Sequence, residues 1–223
     1  MSQASALPAA SQRIKQERGR RTYEALVATG FKLLEEREFE SITIAELARE
    51  AGYSVGAFYA RFKSKDEYFD ALIAHHLEQR TRERSKLFAT LPDGEWINAL
   101  IADAVNYYWK RRRFWRAALI RSINDPQFWQ PIREHGHELA SAFIERMERE
   151  ARRRLTSDEE MNVRFAMQIA LGTINNTIIN RPGPIFMGQK LFVENLARAF
   201  RLVSGYDAIV GSKPKRRSGR ARG

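Results

Sequence analysis

The sequence contains no cysteine, which excludes disulfides, thiolate metal sites and a cysteine nucleophile, and fits a reducing, cytoplasmic setting. No stretch reaches the roughly 18 uninterrupted apolar residues that a membrane-spanning helix needs, so no membrane partner is expected. The opening residues, MSQASALPAASQRIKQERGRR, lack the apolar centre of a secretory leader. Neither G-x-S-x-G nor H-E-x-x-H occurs, and nothing after Asp93 reads as a strand. What is present is 223 residues, 43% of them hydrophobic, enough for one small and one larger domain. The expected fold class is all-α, with about nine helices in all.

The net charge of +11 is unevenly placed. Residues 1–22 carry five basic groups and one acid, and residues 212–223, SKPKRRSGRARG, carry six basic groups and no acid, which leaves the body of the chain close to neutral. Such tails are polar and poor in anything that packs, so they are expected to be disordered. They would add salt-sensitive attraction to phosphates, or else serve only as solvated ends.

The rest of the chain is organised around residues 43–67, TIAELAREAGYSVGAFYARFKSKDE. Thr43 and Glu46 stand at capping-box spacing, which predicts a helix from Ile44. Ile44, Leu47, Ala48 and Ala51 give it one apolar face, and Gly52 supplies the positive φ of a helix end. Ser54 caps a second short helix over Val55–Phe62, with Phe58 and Phe62 on one stripe. Ser64 and Glu67 repeat the box and open a long helix at Lys65. Two short helices joined by a glycine turn are either a plain helical hairpin or a helix-turn-helix, whose second helix enters the DNA major groove.

The order and spacing of Thr43-Ile44-x-x-Leu47-Ala48, Ala51-Gly52, Ser54-x-Gly56, Phe58-Tyr59 and Phe62-Lys63-Ser64-Lys65 resemble the N-terminal domain of the TetR family of transcriptional regulators, from about Leu26 to Leu72. Glu38 stands where that family usually has glycine before the aromatic Phe39. The resemblance implies four segments: a basic arm (1–20), a helix-turn-helix DNA-binding domain (21–66), a helical regulatory and dimerisation domain (67–207) and a basic tail (208–223). It also implies a homodimer reading a palindromic double-stranded operator, more in the manner of a repressor than an activator, and released by a small-molecule ligand.

Within the reader, helix 1 (about 21–37) should bury Leu26, Val27, Phe31, Leu33 and Leu34. The basic cluster before it, Arg13, Lys15, Arg18, Arg20 and Arg21, is similar to arms that touch phosphates or the minor groove. Val55, Gly56 and Ala57 have no hydrogen-bonding side chain and should approach the bases closely, leaving Arg61 as the one long donor for a guanine. By the resemblance, Thr43, Ser54, Tyr59 and Lys65 are assigned to phosphates, which set register without reading sequence. The alternatives are a half-buried packing ring for Tyr59 and a solvated surface lysine for Lys65.

From Lys65 a helix should run to about Ala89, before the Pro92-Asp93-Gly94 break. The resemblance makes it the link between the two domains. Asp93 should cap the next helix, and Ser157 with Glu160 should cap helix 8, which reaches Ile179. Helix 8 is apolar over more than one face, with Phe165, Ile169, Leu171, Ile174 and Ile178, so homodimerisation through helices 8 and 9 (the latter ending near Gly205) is preferred to burial within one subunit. Trp96, Tyr108, Trp115 and Trp129 are candidates to line a pocket for an apolar ligand, with Asn175 and Asn176 as buried amides in need of partners. Each of these aromatics taken singly reads first as plain core, and the two amides could equally serve an inter-helix or inter-subunit hydrogen bond. His135 and His137 point to different sides of a helix, so no metal is expected, and nothing calls for a cofactor.

Enzyme chemistry is the competing class. The segment GPIFMGQK, Gly183 to Lys190, imitates a phosphate loop, but it carries an extra Gln189, lacks the following Ser or Thr and comes after a helix where a strand is required. The chain is therefore not expected to be an enzyme. The remaining alternative is a helical adaptor or ligand-binding protein without sequence-specific DNA binding, which would leave the capped reader unexplained.

Overall fold

The computed structural model describes residues 6–211, with side chains from residue 16 onward. Among them it is all-α: α1 (Ala6–Glu36), a 3-10 turn (Phe39–Ser41), α2 (Ile44–Glu50), α3 (Val55–Tyr59), α4 (Lys65–Thr90), α5 (Trp96–Lys110), α6 (Arg112–Asn124), α7 (Gln130–Ala151), α8 (Ser157–Asn180), α9 (Lys190–Ser204) and α10 (Tyr206–Gly211). The described residues form two compact units, one of residues up to Lys86 with Lys110–Pro131, the other of Leu87–Trp109 with Ile132 onward. The last turn of α4 thus belongs to the second unit.

The first unit closes around aromatic rings supplied by short, capped helices. Thr43 Oγ1 accepts from the Glu46 amide at 3.2 Å, Ser54 Oγ from the Ala57 amide at 3.1 Å, and Ser64 Oγ from the Glu67 amide at 3.0 Å, as the spacing predicts. The return halves of the boxes differ. Glu67 accepts from the Lys63 amide at 2.6 Å, and the carboxylate of Glu46 is taken by Arg37, whose hydrogen bond holds it below the usual carboxylate range. Phe58, Phe62 and Tyr68 pack ring to ring at 5.1–5.5 Å, with Tyr23 at 5.8 Å from Phe62. Leu26, Val27, Leu34, Leu47, Phe69 and Leu72 complete that core.

One contact in this unit requires a glycine. Tyr68 Oη donates to the Leu26 carbonyl at 2.8 Å, and its ring edge lies against Gly30, where a β-carbon would sit 1.8 Å from the hydroxyl oxygen. The burial that creates this fit also pushes the Tyr68 phenol upward in pKa.

Four expectations are corrected here. α1 begins at Ala6 rather than near Arg21, so Arg18, Arg20 and Arg21 are helical rather than part of an extended arm. Pairs of Glu17 with Arg20 and Arg21, and of Arg20 with Glu24, lie at the i, i+3 and i, i+4 spacings that favour helix. α3 ends at Tyr59, three residues short of Phe62, because the box at Ser64 has already started the next helix. α8 is capped by Thr156 with Glu159, a complete reciprocal box, so Ser157 is its first helical residue rather than its cap. Asp93 also has other work: it pairs with Arg146, while α5 starts at Trp96.

The second unit has a larger core, with Trp96, Ile97, Val105, Met147, Val163, Ile174, Phe200 and Tyr206 all within 2% of complete burial. The Glu150 carboxylate accepts from Trp96 Nε1 and from Tyr206 Oη, each at 2.8 Å, which ties α5, α7 and α10 together. α10 was not foreseen in the sequence; Tyr206 and Ile209 anchor it. α9 ends at Gly205 with φ 68°, the expected terminator. The described residues include no helix long and apolar enough to cross a membrane. Residues 212–223 of the basic tail, and the side chains of Arg13 and Lys15, lie outside the described residues.

Candidate nucleic-acid interface

α2 and α3 are joined by Ala51 to Ser54, with Gly52 at φ 78° making the turn. The Tyr53 amide returns to the Ala48 carbonyl at 2.8 Å, which fixes the exit from α2. Phe58 is fully buried and holds α3 on the aromatic core, so the other side of this short helix is left outward. Val55 is 40% and Tyr59 53% exposed, two large side chains that the core does not use. Gly56 between them is open, and Ala57 is half-buried.

The remaining sequence candidates fall into two groups. Thr43 and Ser54 are exposed, and because each hydroxyl is an acceptor in its cap, its own proton stays available to an outside acceptor. Arg61 and Lys65 are already engaged. The Arg61 guanidinium lies across α1 at Gly19, in the space a β-carbon there would need. Lys65 Nζ donates to the Phe39 and Glu40 carbonyls at 2.7 and 3.2 Å and sits 4.5 Å over the Phe39 ring. Partial burial there pulls its pKa down. Arg20 and Arg21 are likewise paired along α1 with Glu17.

α6 packs on the reader through charge. Arg113 donates to the Glu35 carbonyl, and Arg113 and Arg116 lie 3.7 and 4.0 Å from the Glu38 carboxylate. Arg121 bonds the Asp66 carbonyl at 3.0 Å and Asp70 at 2.9 Å, close to the start of α4. The sequence signal for these contacts was Glu38 itself, the departure from glycine, since an acid there has α6 arginines to meet. It was not sufficient to name its partners, which are distant in sequence.

The aromatic ligand candidates do not share one unit. Trp115 is buried in the first unit among His76 and Phe114, with Trp129 6.4 Å from it. Trp96 is core of the second unit, and Tyr108 packs against that core. Asn175 is half-buried on α8, while Asn176, expected to be a buried amide, is exposed at an open groove between α8 and α9, because it lies on the outer side of α8. Among the described residues no three His, Cys, Asp or Glu side chains are grouped to hold a metal ion.

Residues 26–72 match the family profile described as bacterial regulatory proteins, tetR family. An uncharacterized HTH-type transcriptional regulator of Bacillus subtilis (strain 168), YwcC, is 32% identical over 84 residues, and the chain spans only 36% of that relative's length. The fold is similar to a putative TetR-family transcriptional regulator of Mesorhizobium loti MAFF303099 (TM-score 0.63, 14% identity, 86% of this chain and 98% of that one). It is also similar to a tetR-family transcriptional regulator of Streptomyces coelicolor (TM-score 0.60, 15% identity, 86% of each chain). At such identities the two structures speak for the fold, and the profile speaks for the segment it covers. The matched residues, the capped α2–turn–α3 geometry and the all-α fold agree: over residues 26–72 this chain is similar to the helix-turn-helix segment of the tetR family of bacterial regulatory proteins.

Proposed function

We propose that this protein is a homodimeric transcriptional regulator, acting as a repressor, that reads a palindromic double-stranded operator through α3. The observation that carries the reading is the outward face of α3, where Val55 and Tyr59 stand exposed around an open Gly56 while Phe58 locks the helix to its core. Val55, Gly56 and Ala57 approach the base edges closely, as apolar groups do at thymine methyls. Thr43, Ser54 and Tyr59 donate their hydroxyl protons to phosphates and set the register. Arg61 and Lys65 serve the same surface by positioning: one braces α3 against α1, the other fixes the turn that leads into α2.

A single short recognition helix binds weakly, and a twofold pair reading half-sites about 34 Å apart per turn solves that. The dimer face we assign is the outer side of α8 and α9, where Met161 and Phe165 are 64% and 52% exposed and Leu191 and Leu202 are 52% and 73% exposed. Exposed apolar side chains in such a group are what an interface uses. A ligand that prefers a dimer geometry unsuited to the operator shifts the population off DNA.

The test is Tyr59→Ala, measured by fluorescence anisotropy on an operator duplex, with circular dichroism melting as the fold control. Loss of one phosphate-held aromatic contact is expected to weaken binding about tenfold, with melting unchanged. Unchanged affinity would remove α3 from the interface and favour an adaptor.

A further inference from the structure

Gly19 stands well inside α1, and its φ is not positive, so no turn asks for a glycine there. In a helix interior glycine is destabilising relative to alanine. What fills the place of its missing side chain is the end of Arg61: a β-carbon on Gly19 would lie 2.4 Å from Arg61 Nη2, 2.9 Å from Cζ and 3.1 Å from Nη1. Gly19 is buried, although Arg61 as a whole is exposed. The contact differs in kind from that of Gly30 with Tyr68, whose phenol is fixed by its own hydrogen bond. Arg61 ends in a flexible side chain, so alanine at position 19 displaces the guanidinium and leaves the helix unstrained.

The seat on α1 uses none of the guanidinium's hydrogen-bonding capacity. Among the described residues the Arg61 side chain has neither a hydrogen-bond nor an ion-pair partner, and its five N–H donors stay open. Charge nearby is uncompensated as well. Glu17, the one acid among residues 1–23, is taken by Arg20 and Arg21 at 3.0 and 3.1 Å. Arg18, beside Gly19, is exposed and without a side-chain partner among the described residues. Positive charge is thus left unmatched where the end of α3 meets α1, two positions beyond the exposed Tyr59. An arginine already held in one place gives up less side-chain freedom when an anion binds it.

We propose that Gly19 is a positioning residue for DNA binding: it is the seat that holds the Arg61 guanidinium ready to take a backbone phosphate. The brace between α3 and α1 is then also a preorganised phosphate donor. The inference rests on the regulator reading for the phosphate, and the seat itself can be measured without DNA.

The experiment pairs two readouts on the full chain. The first is the proton–nitrogen NMR spectrum of the arginine Nε–Hε groups in the free protein, with the Arg61 signal assigned by its loss in Arg61→Ala. In wild type that signal should stand apart from those of solvent-exposed arginines, and in Gly19→Ala it should move among them. The second is anisotropy on an operator duplex over a range of salt. Arg61→Ala should weaken binding about tenfold and reduce the slope of log K against log salt by about 0.9. Gly19→Ala should weaken binding about fivefold, the cost of ordering one side chain, with the slope kept and the melting temperature equal to wild type or higher. In the double variant Gly19→Ala adds nothing to Arg61→Ala.

Effects that multiply in the double variant would make Gly19 act apart from Arg61 and overturn the proposal. A lowered melting temperature in Gly19→Ala would make the glycine a packing requirement, and an Arg61 signal among the exposed arginines in wild type would remove the seat; either result overturns it. Where Tyr59→Ala weakens operator binding and Gly19→Ala does not, this proposal fails and the regulator reading stands. Where wild type shows no preference for the operator, the regulator reading fails and the phosphate contact falls with it.

Discussion

The two units use their apolar side chains in opposite ways. In α1–α4 of the first unit, almost every large ring is consumed in holding short helices together: Phe58, Phe62, Tyr68 and Phe69 are each at most 3% exposed, and the large apolar side chains these helices leave exposed among the described residues, Val55 and Tyr59, sit on α3, while α6 of the same unit exposes Ile120 and Ile123. The second unit completes a bigger core and still leaves Met161, Phe165, Leu191 and Leu202 on the outer faces of two long helices. In both cases the exposed side chains named here lie on the surface that the proposed function uses. The difference is its scale: two side chains suit insertion into a groove, and four spread along two helices suit a second helical pair.

Glycines sharpen the contrast, and with the largest effect. Gly30→Ala places a carbon on the Tyr68 hydroxyl, which is fixed by its bond to Leu26, and should destabilise the reader by about 3 kcal/mol in chemical denaturation. Gly172→Ala meets no atom and should stabilise the chain by about 0.5–1 kcal/mol. Two substitutions of the same kind thus carry opposite signs, and finding the same sign for both would break the account of how each unit is packed.

Next in size is the dimer face. Phe165→Glu puts a charge where α8 should meet its partner, and the dimer dissociation constant by sedimentation should rise about thirtyfold, as at an interface hot spot. The same change at an exposed residue with no partner would leave the sedimentation coefficient alone.

The capping box of α8 gives a smaller effect with a defined pH dependence. Arg153 and the Thr156 amide hold the Glu159 carboxyl down to about 2, below its unfolded value. Its contribution is complete above the unfolded pKa of about 4.3 and is lost as pH falls through about 2. Wild type should therefore exceed Glu159→Gln by about 0.5 kcal/mol above pH ~5, and the gap in thermal midpoint should close as the pH is lowered towards 2. A gap that widens on acidification would contradict the assignment.

Lys65 provides the smallest and most discriminating test. As a clamp on the Phe39 and Glu40 carbonyls, Lys65→Met should weaken operator binding without changing the slope of log K against log salt. A slope reduced by about 0.9 would instead make it a phosphate contact.

The reader was legible in the sequence because its instructions are local. Thr43, Ser54, Ser64 and Gly52 act within three or four residues of themselves, and the structure returns the helix starts they predict at Ile44, Val55 and Lys65. Contacts that join distant segments were not legible. Lys65 reads in the sequence as a phosphate contact, or else a solvated lysine; its bond to the Phe39 carbonyl, 26 positions away, becomes visible only in three dimensions. The Trp115 and Trp96 rings carry the same sequence signal, yet one closes the first unit and the other the second. The cap of α8 was missed by one residue because Thr156-x-x-Glu159 and Ser157-x-x-Glu160 are overlapping boxes, and only the Arg153–Glu159 pair, read in three dimensions, decides between them.

The central claim is that α3 reads DNA sequence, and it is tested most directly by anisotropy binding to the DNA flanking the protein's own gene, against a scrambled duplex of equal length, at two salt concentrations. The account predicts saturable binding by two subunits, with a preference for the flanking duplex of well over tenfold that persists at the higher salt. Equal binding to both duplexes that vanishes with salt would contradict it, since basic charge alone would then explain the affinity.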